Sequence, residues 1–224
     1  MANIHNEPVV VLGLGRFGSA LAMELVSRGT EVLGIDSSNK VVRELAGQLA
    51  NVATADCTDI EALRQLGVPE FRRAVMAIGT DIQASILTTA LLTDLGITDI
   101  WAKALNPRHA DILRRVGAHH VVLPEQDMGE RVAHLLSGRM LDYVEVDQDF
   151  AIIKAKPPRD IVGMPLRESR LRSKYGVTVV AVKSEAEGSD ARFGYATADT
   201  VLMYGDHILV VGSISDLERF AEAD

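Results

Sequence analysis

Between Pro8 and about Gly138, short apolar runs alternate with longer stretches whose apolar residues recur at helical spacing. A parallel sheet covered on both faces by βαβ units produces this alternation. The runs "PVVVL" (8–12), "EVLGID" (31–36), "NVATA" (51–55), "AVMAI" (74–78), "DIWAKA" (99–104) and "HHVVLP" (119–124) predict six strands. Between them, "FGSALAMELVSRG", "NKVVRELAGQL", "DIEALRQLG", "IQASILTTALLTDLG" and "NPRHADILRRVG" read as helices, several closing on glycine, with Gly29 a C-cap of the first. Six strands joined by right-handed crossovers predict the order 3-2-1-4-5-6.

The pattern then changes. "EQDMGERVAHLLSGRML" (125–141) reads as a further helix, after which "DYVEVD", "FAIIKAK", "VTVVAVK" and "DHILVVG" alternate at strand period. Two helical stretches accompany them, "PLRESRLRSKYG" and "SISDLERFAEAD", and "SEAEGSDARFG" (184–194) reads as a solvated hairpin loop. The expectation is an α/β protein: a Rossmann-like doubly wound parallel sheet in residues 1–138, followed by a small α+β C-terminal domain in 139–224. The helix at 125–138 is the crossover between them.

Composition narrows the function classes. The 224 residues suit two domains, and 47% hydrophobic residues suffice for two cores. A net charge of −8 with no basic stripe argues against a nucleic-acid partner, because phosphate backbones are bound by clustered Lys and Arg. No apolar run approaches the length of a membrane span. The lone Cys57 and the absence of a leader pattern predict a cytoplasmic setting.

The chemistry is expected beyond the carboxyl ends of the strands, where ligands of open α/β sheets sit. After the first strand comes G-L-G-R-F-G, with Gly13 for a tight turn, Gly15 for close approach of a pyrophosphate and Gly18 for packing of the helix on the sheet. Arg16 and Phe17 lie inside that turn. A cation at a helix N-terminus is unfavourable by about 0.3–1 kcal/mol, so Arg16 implies an anionic guest or a neighbouring subunit's carboxylate. Asp36 ends the second strand, where an acidic side chain accepts ribose hydroxyls and repels a 2′-phosphate; capping of the next helix is the alternative. Asp56, after the third strand, falls near the adenine end, with Asp59 or Thr58 as the nearby cap, and Cys57 reads as a small filler. Gly79 leaves room for a sugar or simply makes a turn. Lys103 and Asn106 follow the fifth strand, and Lys103 suits phosphates. Glu125 follows the sixth, where a carboxylate near phosphate calls for a bridging divalent cation, Mg²⁺ or Ca²⁺, or else serves a helix N-terminus.

No catalyst stands beside this turn. None of the four tyrosines begins a Tyr-x-x-x-Lys pair, His119 and His120 are adjacent and point to opposite faces of a strand, and His109 reads as a helix-surface residue. Glyceraldehyde-3-phosphate dehydrogenases carry a similar Gly-x-Gly-Arg-x-Gly turn but need a catalytic cysteine in a separate domain. The residues themselves leave two classes open: a nucleotide sensor, and an NAD(H)-binding oxidoreductase or redox sensor.

Taken together, "VVVLGLGRFGSALAMEL", "EVLGID", "VMAIGTDIQASILTTALL", "DIWAKALN", "RVGAHHVVLPEQDMG" and "LRSKYGVTVVAVK" resemble the RCK (regulator of potassium conductance) proteins, of the KtrA and TrkA type. The resemblance spans nearly the whole chain. It implies a non-enzymatic gating subunit of a potassium uptake system, with ATP or ADP in the first domain. It also implies dimers assembled into a homo-octameric ring at the inner face of the cell membrane, docked on a potassium-translocating subunit of the KtrB or TrkH type. Carried over, Gly13, Gly15 and Gly18 form the phosphate turn, Asp36 accepts the ribose, and Arg16 reaches a γ-phosphate from its own or an adjacent subunit. Lys103 becomes a phosphate-side lysine and Glu125 holds an activating divalent cation. The second domain also resembles modules that in several KtrA-like proteins bind cyclic di-AMP at a dimer interface, and Leu166, Arg172 and Tyr175 fall in the corresponding region.

Overall fold

A computed structural model of the chain describes residues 7–136, 140–185 and 191–223. Two compact units emerge, Met1–Gln126 and Asp127–Asp224. The expected boundary at 138/139 lies outside the described residues.

In the first unit, β1 (Val9–Leu12), β2 (Val32–Asp36), β3 (Asn51–Thr54), β4 (Arg73–Met76), β5 (Asp99–Lys103) and β6 (His120–Val122) form one parallel sheet. Its order is β3-β2-β1-β4-β5-β6, as the alternation of runs predicts. The central strand β1 is buried at all four positions because both sides of the sheet are covered there. Val9, Val11, Val32 and Val75 pack with Ala22 of α1 (Arg16–Ser27) and Leu45 of α2 (Asn39–Leu45). Val10, Leu12, Ile35 and Met76 pack with Leu63 of α3 (Ile60–Gln65), Leu92 of α4 (Ile82–Asp94) and Leu113 of α5 (Pro107–Arg115). Polar caps start four of these helices: Ser38, Asp59, Asp81 and Asn106 each accept a backbone N–H of the first turn. Helix α1 is the exception. Its N-cap is Gly15, with no side-chain cap and no acid in the first turn.

Helix α6 (Pro124–Leu136) begins on a proline whose missing N–H is no loss there. The expected continuation of this helix to residue 141 is corrected. Residues 137–139 lie outside the described residues, while Met140 and Leu141 already belong to β7 (Met140–Asp147), with Met140 buried opposite Ala155.

The second unit is an antiparallel sheet of order β10-β9-β11-β8-β7, adding β8 (Phe150–Ala155), β9 (Thr178–Lys183), β10 (Gly194–Tyr195) and β11 (His207–Ser213). Its buried face packs Tyr143, Ile153, Val179, Ile208 and Val210 against Tyr175 of α7 (Leu171–Tyr175) and Leu217 and Phe220 of α8 (Ile214–Ala221). The helix expected over "PLRESRLRSKYG" shrinks to α7, since Pro165 bridges to Val201 and Arg170 holds a left-handed φ of 52°. Of the expected hairpin loop 184–194, residues 186–190 lie outside the described residues, and Gly194 is already strand.

Candidate functional site

The turn after β1 shows why its glycines are glycine. Gly13 has φ +92°, and a Cβ there would stand 2.9 Å from the Ile78 nitrogen. A Cβ on Gly18 would collide with the Gly13 carbonyl oxygen, so this glycine lets α1 lie on the turn. Gly15 is different: a Cβ there would meet nothing within 4 Å. No protein atom requires a glycine at that position, which faces the open cleft.

Asp36 ties the turn to β2. Its Oδ2 accepts the Leu14 N–H at 2.7 Å and its Oδ1 the Ser38 N–H at 2.8 Å. The capping alternative for Asp36 is not realised, because Ser38 is the N-cap of α2. Asp56 accepts both the N–H (2.9 Å) and the hydroxyl (2.7 Å) of Thr58, which hold its carboxyl below the usual range. Asp59 caps α3. Cys57 between them is buried, and burial with the charges of Asp36 and Asp56 pushes its thiol up to about 12. A thiol so protonated at neutral pH is no nucleophile.

Lys103 and Glu125 meet. Lys103, whose side chain is only 10% exposed, donates from Nζ to Glu125 Oε1 at 2.6 Å. That bond first, then the charges of Lys103 and Arg16, hold the Glu125 carboxyl below its usual value against the opposing effect of burial. The Lys103 ammonium stands 5.7 Å from the Phe17 ring centroid, and a Cβ on Gly79 would lie 3.1 Å from Nζ. Gly79 thus leaves the space the lysine occupies. Arg16, the first residue of α1, is exposed and has no ion-pair partner among the described residues.

Nine of the residues singled out from sequence line one cleft of about 1090 Å³: Gly13, Gly15, Arg16, Phe17, Asp36, Asp56, Gly79, Lys103 and Glu125. Gly18 lies buried in the packing beneath, and Asn106 caps α5 instead. Sequence reasoning missed the wall made by Thr80, Asp81, Gln83, Ala84 and Leu87, from the start of α4. The order β1-β4, with α4 following β4, was the available signal. Among the described residues no group of three or more His, Cys, Asp or Glu side chains could hold a metal ion. Glu125 offers one carboxylate, which fits a divalent cation only where phosphate oxygens or another copy complete the shell.

His109 is corrected. It is 2% exposed rather than on the helix surface, with Nε2 3.1 Å from Ser85 Oγ and Nδ1 accepting the Leu105 N–H at 3.3 Å. In the second unit, Tyr175 is in the core with its hydroxyl 3.3 Å from Asp160, and Leu166 packs against that core. Arg172 donates to Thr178 Oγ1 at 3.1 Å. No described helix is long and apolar enough to cross a membrane.

A Rossmann-like unit with a cleft at its glycine turn, followed by a small antiparallel α+β unit, is the arrangement of the RCK fold. Residues 9–124 match the TrkA-N domain and residues 150–223 the TrkA-C domain. The chain is 36% identical to Ktr system potassium uptake protein C of Bacillus subtilis (strain 168) over 94% of both chains. It is 34% identical to Ktr system potassium uptake protein A of the same organism over 98% of both. This chain therefore belongs to the TrkA-N/TrkA-C family of Ktr system potassium uptake proteins. Solved structures share its fold. The GsuK RCK domain superposes with a TM-score of 0.67 at 19% identity over 99% of this chain and 49% of that one. The GsuK channel bound to NAD gives 0.66 at 19% identity over 100% and 41%. GsuK bound to ADP gives 0.50 at 22% over 55% and 33%. The chain thus spans about half or less of these structures' length.

Proposed function

We propose that this chain is a cytoplasmic regulatory subunit of a potassium uptake system, residues 1–138 sensing an adenine nucleotide and 139–224 completing the subunit. Dimers assemble into an octameric ring beneath the membrane potassium-translocating partner. The kinship with Ktr uptake proteins supports the setting, and structures of GsuK bound to NAD and to ADP support a nucleotide as the ligand.

One observation carries the sensing role: Arg16, a cation with no ion pair among the described residues, stands at an uncapped helix N-terminus beside a glycine whose missing side chain leaves only cleft. The N–H groups of that terminus attract phosphate, and the guanidinium adds a contact for a third one. Asp36 supplies ribose-accepting oxygens. Lys103 is already neutralised by Glu125, so an incoming phosphate competes for the ammonium and sets the carboxylate free for a divalent cation. ATP and ADP then differ in how strongly they favour one subunit conformation, and that difference biases the gate. With the Cys57 thiol protonated and the His109 imidazole held inside the fold, the cleft offers a ligand contacts rather than a nucleophile.

Calorimetric titration with ATP, ADP, NAD⁺ and NADH, with and without Mg²⁺ or Ca²⁺, tests this. Arg16→Ala is expected to weaken ATP by about tenfold to hundredfold, the worth of one charge-assisted contact, and ADP far less. Equal losses remove Arg16 from terminal-phosphate sensing. Glu125→Gln is expected to abolish the cation dependence of ATP binding. Tighter binding of NADH than of ATP overturns the nucleotide reading in favour of a redox sensor. Native mass spectrometry of each variant separates these effects from loss of the ring.

A further inference from the structure

The second unit carries a concentration of positive charge that the nucleotide cleft does not use. In its sheet, Ile153 and Ala155 of β8 and Ile208 and Val210 of β11 point into the core, none more than 2% exposed. Alternation turns their neighbours outward, to the face opposite α7 and α8. There His207 stands across from Lys183 of β9, and Leu209 across from Lys154 of β8. Lys156 directly follows β8, close enough for its charge to act on His207.

These cations are poorly offset. No ion pair among the described residues involves Lys154, Lys156 or Lys183. Asp142, opposite Lys154, feels that lysine's charge but is hydrogen-bonded by Arg131 Nη2 at 2.6 Å. Glu185 acts on His207 in the opposite sense, and its side chain lies against Gly205. Burial, then the charges of Lys154, Lys156 and Lys183, keep the His207 imidazole below its usual value, so the face already resists one more positive charge. Lysines held on one face without ion-pair partners repel one another and oppose folding. In a chain of net charge −8, three gathered lysines call for an anion. Phe193, 39% exposed, lies over the same face with its ring centroid 6.0 Å from Lys154 Nζ, adding an apolar wall.

We propose that this outer sheet face binds a phosphate-bearing small anion, its charge taken by Lys154, Lys156 and Lys183 beside the Phe193 ring. The site is independent of the cleft at the glycine turn and of the α7 region.

Calorimetric titration of the full chain with inorganic pyrophosphate in 0.15 M KCl, with the glycine-turn cleft pre-saturated by ADP, tests it. The expected result is a saturable isotherm that weakens at least tenfold in Lys156→Gln/Lys183→Gln and is restored in Lys156→Arg/Lys183→Arg, with ADP affinity the same in all three chains. The glutamine variant is also expected to melt higher than the parent when no anion is added, because repulsion has been removed. An absent or unsaturable pyrophosphate signal, or one unchanged by the glutamines, overturns the proposal. So does a parallel loss of ADP affinity, which marks a general disturbance rather than a site. Failure here leaves the nucleotide reading of the first unit standing, since that reading rests on ADP and ATP alone.

Discussion

Gly15 and Gly18 stand in one turn, three positions apart, and answer to different constraints. Gly18 packs against the Gly13 carbonyl, so Gly18→Ala forces α1 off the sheet and is expected to destabilise the protein by about 1–3 kcal/mol or more. Gly15→Ala meets open space and an ordinary φ of −65°, so its melting temperature is expected to stay within about 1 °C of the parent while nucleotide affinity falls at least tenfold. Thermal melts with ADP titrations on both variants check this; unchanged affinity in the Gly15 variant would show that no ligand approaches the turn. The spacing of the three glycines was legible in the sequence because each sits at a fixed offset from the end of β1. The partner of Glu125 was not. Lys103 comes twenty-two residues earlier and reaches Glu125 because β5 and β6 are neighbours with parallel tips, a contact that only the pairing register brings about.

At the scale of elements, α4 and α5 show what periodicity leaves out. Ser85, Thr88 and Thr89 are fully buried on α4, and each hydroxyl has a partner: His109, the Cys57 carbonyl and the Ser85 carbonyl respectively. Apolar spacing found both helices but could not find that α5 turns His109 inward to meet Ser85. The pairing has a pH consequence. Burial lowers the His109 pKa from its ordinary 6.5, so the folded state binds a proton less readily than the unfolded chain. Stability from the neutral imidazole is therefore full above about 6.5 and declines as pH falls below that value toward the depressed native one. Urea midpoints measured from pH 7.5 to 5 are expected to fall across this window, and His109→Gln is expected to flatten that fall. A variant retaining the full slope would place the proton uptake elsewhere. The overextended helices have equally local causes. "LLSGRML" continues an apolar rhythm, and only pairing with β8 makes Met140 and Leu141 strand; in "PLRESRLRSKYG" the bridge from Pro165 to Val201 diverts the chain before α7.

Over the whole molecule, two cores are built from separate residue sets, one pair of clusters from the first unit and one cluster from the second. The sequence showed this as a change of rhythm after β6, but the division at Gln126/Asp127 falls inside α6, which no change of composition marks. A ligand confined to one core stabilises that core, by about 2.7 kcal/mol at a hundredfold excess over its dissociation constant. For a unit of this size that is a rise on the order of 10 °C in melting temperature. The chain carries a single tryptophan, Trp101, on β5 of the first unit, so its fluorescence reports that unit alone, whereas calorimetry reports both. Saturating ADP is accordingly expected to raise the Trp101 transition while leaving a second calorimetric transition near its original temperature, and pyrophosphate added on top of ADP to raise the second. One transition, moved equally by either anion, would mean that α6 couples the units so tightly that they melt as one body.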